Sequence, residues 1–141
     1  MTMQGPSPVV ELVGVARTFP GSPPVEALRP ADLTIMAGEH LAVAGPSGSG
    51  KSTLLHILGL LDRPTEGVYR LDGIDTEELG ERQRAGLRSS RIGFVFQSFH
   101  LLGHRTAVEN VMMAEIYRPG TRSTRRERSV AALERVGLGH R

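Results

Sequence analysis

The sequence predicts an α/β fold whose final third is helical. Three observations carry this. Short apolar runs rich in Val, Ile and Leu alternate with helix-length segments. A loop of glycines and serines, "GPSGSGKS" at 45–52, separates one such run from a helical pattern. From Thr106 onward the patterns are helical.

The elements run in order along the chain. "VVELVGVARTF" (9–19) is β-branched and partly alternating, which predicts a strand. "PGSPP" (20–24) is a turn. "ADLTI" (31–35) and "HLAVAG" (40–45) read as strands joined by a turn around Ala37-Gly38. Leu41-Ala42-Val43-Ala44 is apolar throughout, as a buried parallel strand is. Between Lys51 and Leu61, six leucines and isoleucines cover most of the helical circumference, so the helix should be buried. Asp62-Arg63-Pro64 stops it, and "GVYRLDG" (67–73) is a short strand and turn. Asp75 with Glu78 has the spacing of a capping box, and the acids precede the arginines, as the helix dipole favours. "IGFVF" (92–96) reads as a second buried strand. Thr106 and Glu109 cap a helix ended by Pro119-Gly120. Thr124 and Glu127 cap the last helix, with Val130, Leu133 and Val136 inward and Gly137 as its stop.

Composition narrows the class. At 39% hydrophobic and 23% charged, the 141 residues suit a soluble globular domain. The absence of cysteine excludes a disulfide scaffold and a thiolate metal site. No apolar run nears the roughly 20 residues that span a bilayer. "MTMQGPSPVV" lacks the basic start and apolar stretch of a signal peptide, so a cytoplasmic protein is expected. Residues 1–116 carry ten basic and thirteen acidic groups, and residues 117–141 seven and two. The basic run "RPGTRSTRRER" (118–128) holds no aromatic side chain to stack on bases. It reads as a solvated helix face, with no nucleic-acid partner.

The loop carries the chemistry. Gly45-Pro46-Ser47-Gly48-Ser49-Gly50-Lys51-Ser52 fits G-x-x-x-x-G-K-[ST] between an apolar strand and a helix. Glycines let successive backbone N–H groups converge on one anion, and the helix adds its positive end. Lys51 is the only lysine among 17 basic residues. A compact ammonium fits among backbone amides where a broad guanidinium does not. Lys51 should reach the β- and γ-phosphates of a nucleotide, and the Ser52 hydroxyl should hold Mg²⁺. The plainer reading is a glycine-rich turn before a buried helix.

The continuation is more specific. "GPSGSGKSTLLHILGLLDRPTEGVYRLDG" resembles the nucleotide-binding domain of ATP-binding cassette transporters. Guanylate kinases share the loop but not this continuation. "RIGFVFQSFHLLGHRTAVENV" (91–111) looks like the Q-loop of that transporter family. With "RAGLRSSRIGFVFQ", the chain resembles the macrolide-export and lipoprotein-release class over nearly its whole length. It departs at Gly103, where that class usually has proline.

The resemblance implies a P-loop ATPase fold of the cassette type. Its expected parts are an N-terminal antiparallel β portion, an incomplete parallel core sheet and the start of a helical subdomain, divided as 1–97 and 98–141. The implied cofactors are ATP and Mg²⁺. Gly45, Pro46, Ser47, Gly48, Ser49, Gly50, Lys51, Ser52 and Thr53 would bind the nucleotide. Phe19 would stack on adenine, or else serve as an edge-strand core residue. Gln97 would act in catalysis through Mg²⁺ or the attacking water, or else be a satisfied polar residue at a strand end. Residues 98–120 would dock on a transmembrane permease subunit, and a second nucleotide-binding domain would complete a dimer. The protein would then sit on the cytoplasmic side of the plasma membrane through the permease.

The family's signature loop, its strand ending in Asp-Glu and its switch histidine do not occur in these residues. The resemblance therefore implies a chain cut before those motifs and not hydrolytic alone. A non-catalytic permease-docking module and a small P-loop kinase are the other readings. The strands at 40–44 and 92–96 are not neighbours in the family, so each is expected to have an unpaired edge or to border an apolar cleft.

Overall fold

A computed structural model describes residues 7–116 and 120–140. The chain divides into two compact units, Met1–Val95 and Phe96–Arg141.

The first unit is built on a four-stranded antiparallel sheet. Its strands are β1 (Val10–Phe19), β2 (Val25–Ile35), β3 (Glu66–Leu71) and β4 (Ile74–Asp75), in the order β2-β1-β3-β4. β1 is central, pairing Val10 with Ile35 on one side and with Leu71 on the other. The ladder breaks between Leu12 and Val15, where Gly14 takes a φ of +58°. That bulge lets Leu12 and Val15, three residues apart, both point into the core while Val13 faces out. The β3–β4 hairpin turns on Asp72 and Gly73, both at positive φ, as an Asp-Gly turn requires.

Helix α1 (Lys51–Leu58) lies on this sheet. Ile57 and Leu60 pack with Leu12, Val15, Tyr69 and Leu71 as the buried core. The Tyr69 hydroxyl donates to the Leu58 carbonyl at 2.8 Å, tying the end of α1 to β3. Burial pushes the Tyr69 phenol up to about 12, with nearby Asp72 adding to the rise and Arg84 opposing it. The folded state thus keeps a proton that the unfolded chain releases near pH 10. This stabilisation is complete below pH 10 and lost as pH rises through about 12. Alkaline unfolding should show this window, and Tyr69→Phe should lack it. An identical alkaline profile for the two proteins would count against the buried phenol.

Several elements differ from the sequence reading. Neither 40–45 nor 92–96 forms a strand, and the described sheet has no parallel pair. Periodicity registers apolarity, but a strand exists only beside another, and no described strand runs alongside either segment. Most of their side chains are left outside: Leu41 is 53% exposed and Phe96 60%, and Val95 is fully exposed, while Ile92 packs against the core. Phe94 does settle against the Cα of Gly59, where an added Cβ would come within 2.7 Å of its ring. Helix α1 ends at Leu58, short of the expected Leu61, and buries one face only; Leu55, and Leu61 beyond its end, stay about half exposed.

Helix α2 (Glu81–Arg91) starts six residues after Asp75. Gly80 is its N-cap, and its N–H donates to Gln83 Oε1 at 2.9 Å. Asp75 belongs to the hairpin instead, and its carboxylate accepts from the Glu77 N–H.

The second unit contains α3 (Ala107–Ala114) and α4 (Arg122–Arg135). Thr106 and Glu109 form the expected reciprocal cap. The predicted stop at Pro119 lies outside the described residues, and α3 ends earlier, at Ala114. Thr121, not Thr124, caps α4; its hydroxyl accepts from the Thr124 N–H. Ser123 takes up Glu127, donating to its carboxylate at 3.0 Å. Leu133 faces inward as expected, but Val136 is exposed. Gly137 closes the helix by donating to the Glu134 carbonyl.

Candidate nucleotide-binding site

The loop at 45–50 ends directly in α1, so its chemistry is set by how the chain enters the helix. Gly50 is the N-cap, with φ at +88°. A Cβ there would lie 2.6 Å from the Ala27 carbonyl oxygen. Only glycine takes that conformation and lets β2 come so close. Ser49 N–H bonds back to the Pro46 carbonyl at 3.3 Å, folding the loop on itself.

Lys51 folds over the loop rather than into solvent. Its ammonium donates to the Gly45 carbonyl at 2.9 Å, the Pro46 carbonyl at 2.5 Å and Ser49 Oγ at 3.2 Å. The positive charge is therefore held at the N-terminal end of α1, where the helix dipole is also positive. The loop residues from Gly45 to Ser49 are all exposed, as is Ser52 in the first turn.

A groove of about 580 Å³ opens here. Ser47, Gly48, Gly50 and residues 51–53 line one side; residues 25–27 of β2 line the other. The β2 wall has no signature in the sequence. It arises from the sheet register and from the close approach of Gly50 to Ala27. Glu26 brings a carboxylate into the groove, ion-paired with Arg29 at 3.4 Å.

Phe19 does not itself line this groove, but the sheet sets it beside a residue that does. Phe19 pairs with Val25, and Val25 lines the groove. The Arg17 guanidinium lies over the Phe19 ring, 4.4 Å from its centroid. Phe19, the loop and residues 51–53 thus belong to one region of the first unit. Gln97 belongs to the second unit, where it is exposed at a bend rather than at the end of a strand.

The segment after Gln97 has a fastening that the sequence reading did not foresee. The Asn110 amide donates to the carbonyls of Leu102, Arg105 and Thr106, and its oxygen accepts from the Leu102 N–H at 2.9 Å. One side chain on α3 therefore shapes the loop at 102–106.

A second groove, of about 430 Å³, is lined by Arg17, Asp62, Arg63, Glu81, Arg84 and Arg88 with Leu60 and Leu61. Its guanidiniums are engaged within the chain. Arg17 pairs with Asp62, Arg63 with Glu81, and Arg84 and Arg88 donate to the Asp62 and Leu60 carbonyls. Burial and its cationic neighbours hold the Arg84 guanidinium below its usual pKa. The cluster fastens α2 to the end of α1.

The family model described as ABC transporter matches residues 28–141. The macrolide export ATP-binding/permease protein MacB of Rhodospirillum rubrum is 50% identical over 137 residues, covering 96% of this chain and 21% of the relative. An uncharacterized ABC transporter ATP-binding protein of Thermotoga maritima is 48% identical, covering 94% of this chain and 57% of the relative. Among solved structures, the dimeric ATP-binding cassette MJ0796 bound to ADP and Pi is similar with a TM-score of 0.79 and 42% identity. That match covers 89% of this chain and 56% of the cassette. The chain thus spans about a fifth of the MacB relative and somewhat over half of the other two. With the family model matched over most of its length, the chain has the P-loop fold of the cassette ATPases and belongs to the ABC transporter family.

Proposed function

We propose that the chain binds ATP with Mg²⁺, as part of the cassette that energises a membrane exporter. The observation that carries this is the Lys51 ammonium, held over the loop at the start of α1 and beside an open groove. Loop N–H groups, the helix end and Lys51 together present positive potential to a polyphosphate. All nine residues from Gly45 to Thr53 are assigned to phosphate binding. Phe19, across the ladder from the groove wall, offers a ring face to the adenine.

The residues fit Mg²⁺ in its usual manner. Mg²⁺ is held mainly by phosphate oxygens and water, with few protein ligands. The exposed Ser52 hydroxyl beside Lys51 is one such ligand, and Gln97 is assigned as another. The ion, when bound, neutralises charge on the phosphate oxygens. Gln97 would also orient the attacking water, a positioning task that needs an amide rather than a base.

The division into 1–97 and 98–141 belongs to this reading, the second part being the start of a helical subdomain. Residues 98–120 would receive the permease. In the second unit a groove of about 320 Å³ is lined by Met112, Met113 and Ile116 together with Arg105, Glu109, Arg122 and Arg125, and would offer both apolar and charged contacts to such a partner. No helix among the described residues is long and apolar enough to cross a membrane. Membrane association would come through the permease, on its cytoplasmic side, with a second cassette completing the dimer.

Calorimetric titration of the full chain with ATP, with and without Mg²⁺, tests the core of this. Saturable one-to-one binding is expected, and Mg²⁺ should tighten it in the parent but much less in Ser52→Ala. Absence of binding would sink the assignment.

A further inference from the structure

We infer that the turn at residues 62–65 sets the position of the adenine-stacking ring, with Arg17 as the positioning residue that links them. This rests on the reading of Phe19 as the base platform. The "DRPTEG" segment comes after α1 and contributes no residue to the lining of the nucleotide groove, yet it grips the end of β1 that carries Phe19.

The grip has two parts. Thr65 holds the backbone: its N–H donates to the Ala16 carbonyl at 2.8 Å, and its hydroxyl accepts from the Thr18 N–H at 3.1 Å. Asp62 holds the side chain. Its two oxygens accept from Arg17 Nε at 3.0 Å and Arg17 Nη2 at 2.9 Å, a two-pronged pairing of a planar fork with a carboxylate. Both side chains are largely covered, at 20% and 26% exposure, so the pair is not an ordinary surface bridge. Asp62 is itself fixed by the Arg63 N–H at 2.8 Å and by its own N–H on the His56 carbonyl at 3.2 Å. The guanidinium so held lies over Phe19 at 4.4 Å, within cation–π range.

The consequence is geometric. Helix α1 carries the phosphate loop at one end and, through Asp62, the base platform at the other. One of the two faces of Phe19 is occupied by the cation, so a base would stack on the other. The span from polyphosphate to adenine is then set by α1 together with the turn that follows it.

The test separates base from phosphate. Mg-ATP and Mg-tripolyphosphate are titrated into the full chain and its variants by calorimetry. Phe19→Ala should weaken ATP about tenfold and leave tripolyphosphate unchanged, since stacking supplies the difference. Arg17→Met should weaken ATP about fivefold with tripolyphosphate again unchanged. Arg17→Lys, which keeps the charge but not the fork, should fall between. Asp62→Asn should match Arg17→Met, and the double variant should be no worse than either, because both break one link.

If Phe19→Ala loses ATP affinity but Arg17→Met does not, the link is overturned and the platform stands. If Phe19→Ala changes nothing, the platform reading fails and takes the inference with it. Equal weakening of both ligands by Arg17→Met would reduce the arginine to a structural role and also overturn it. Should Arg17→Met not fold, Phe19→Trp supplies a second readout, since the chain has no other tryptophan. Its emission should be quenched by ATP and not by tripolyphosphate, and Asp62→Asn should abolish the difference. Quenching unaffected by Asp62→Asn would overturn the inference.

Discussion

Lys51→Ala is expected to weaken Mg-ATP binding by about 2–4 kcal/mol, roughly 30- to 700-fold. The ammonium donates to three oxygens of the loop at 2.5–3.2 Å, which engages all three of its N–H groups, so a phosphate would take over some of these contacts. No second lysine exists in the 141 residues to take its place. Calorimetry on the parent and variant decides the matter: equal affinities would show that the loop does not hold the phosphates.

Ile57→Ala is expected to destabilise the first unit by about 2–5 kcal/mol. Ile57 is fully buried against Leu12, Val15, Leu60, Tyr69 and Leu71, so its loss leaves a cavity between helix and sheet. Domains of this size are stable by only about 5–15 kcal/mol, so the fraction is large. Urea unfolding monitored by circular dichroism measures it. A loss below about 1 kcal/mol would mean that α1 is not seated on the sheet through this residue. Because the same helix begins at Lys51, saturating Mg-ATP should restore part of the midpoint in the variant.

What the sequence disclosed depended on how local the determinant was. The loop proposed to hold phosphate was legible as a candidate because its chemistry needs a glycine at 50 and a lysine at 51, whatever surrounds them. Its second wall was not, since residues 25–27 reach the groove only through the pairing of Phe19 with Val25 and the packing of Gly50 on Ala27. The capping pattern was right at Thr106, where nothing competes with it. It failed at Asp75, which the Asp72-Gly73 hairpin claims first, and at Thr124, one turn behind the true cap at Thr121. The apolar runs at 40–45 and 92–96 were read as strands from side chains alone. Backbone pairing needs a neighbour at the right distance, which no pattern within the run can report.

The antiparallel sheet has a consequence for the order of folding. Every ladder of β1, β2, β3 and β4 closes between residues 10 and 75. A ribosome delivers those residues before any of 92–96 has left it. The sheet can therefore recruit α1 and bury Ile57 while the apolar stretch around Phe96 is still shielded inside the translating particle. By the time that stretch emerges, the sheet and α1 can already be in place, so the first core forms without competition from it.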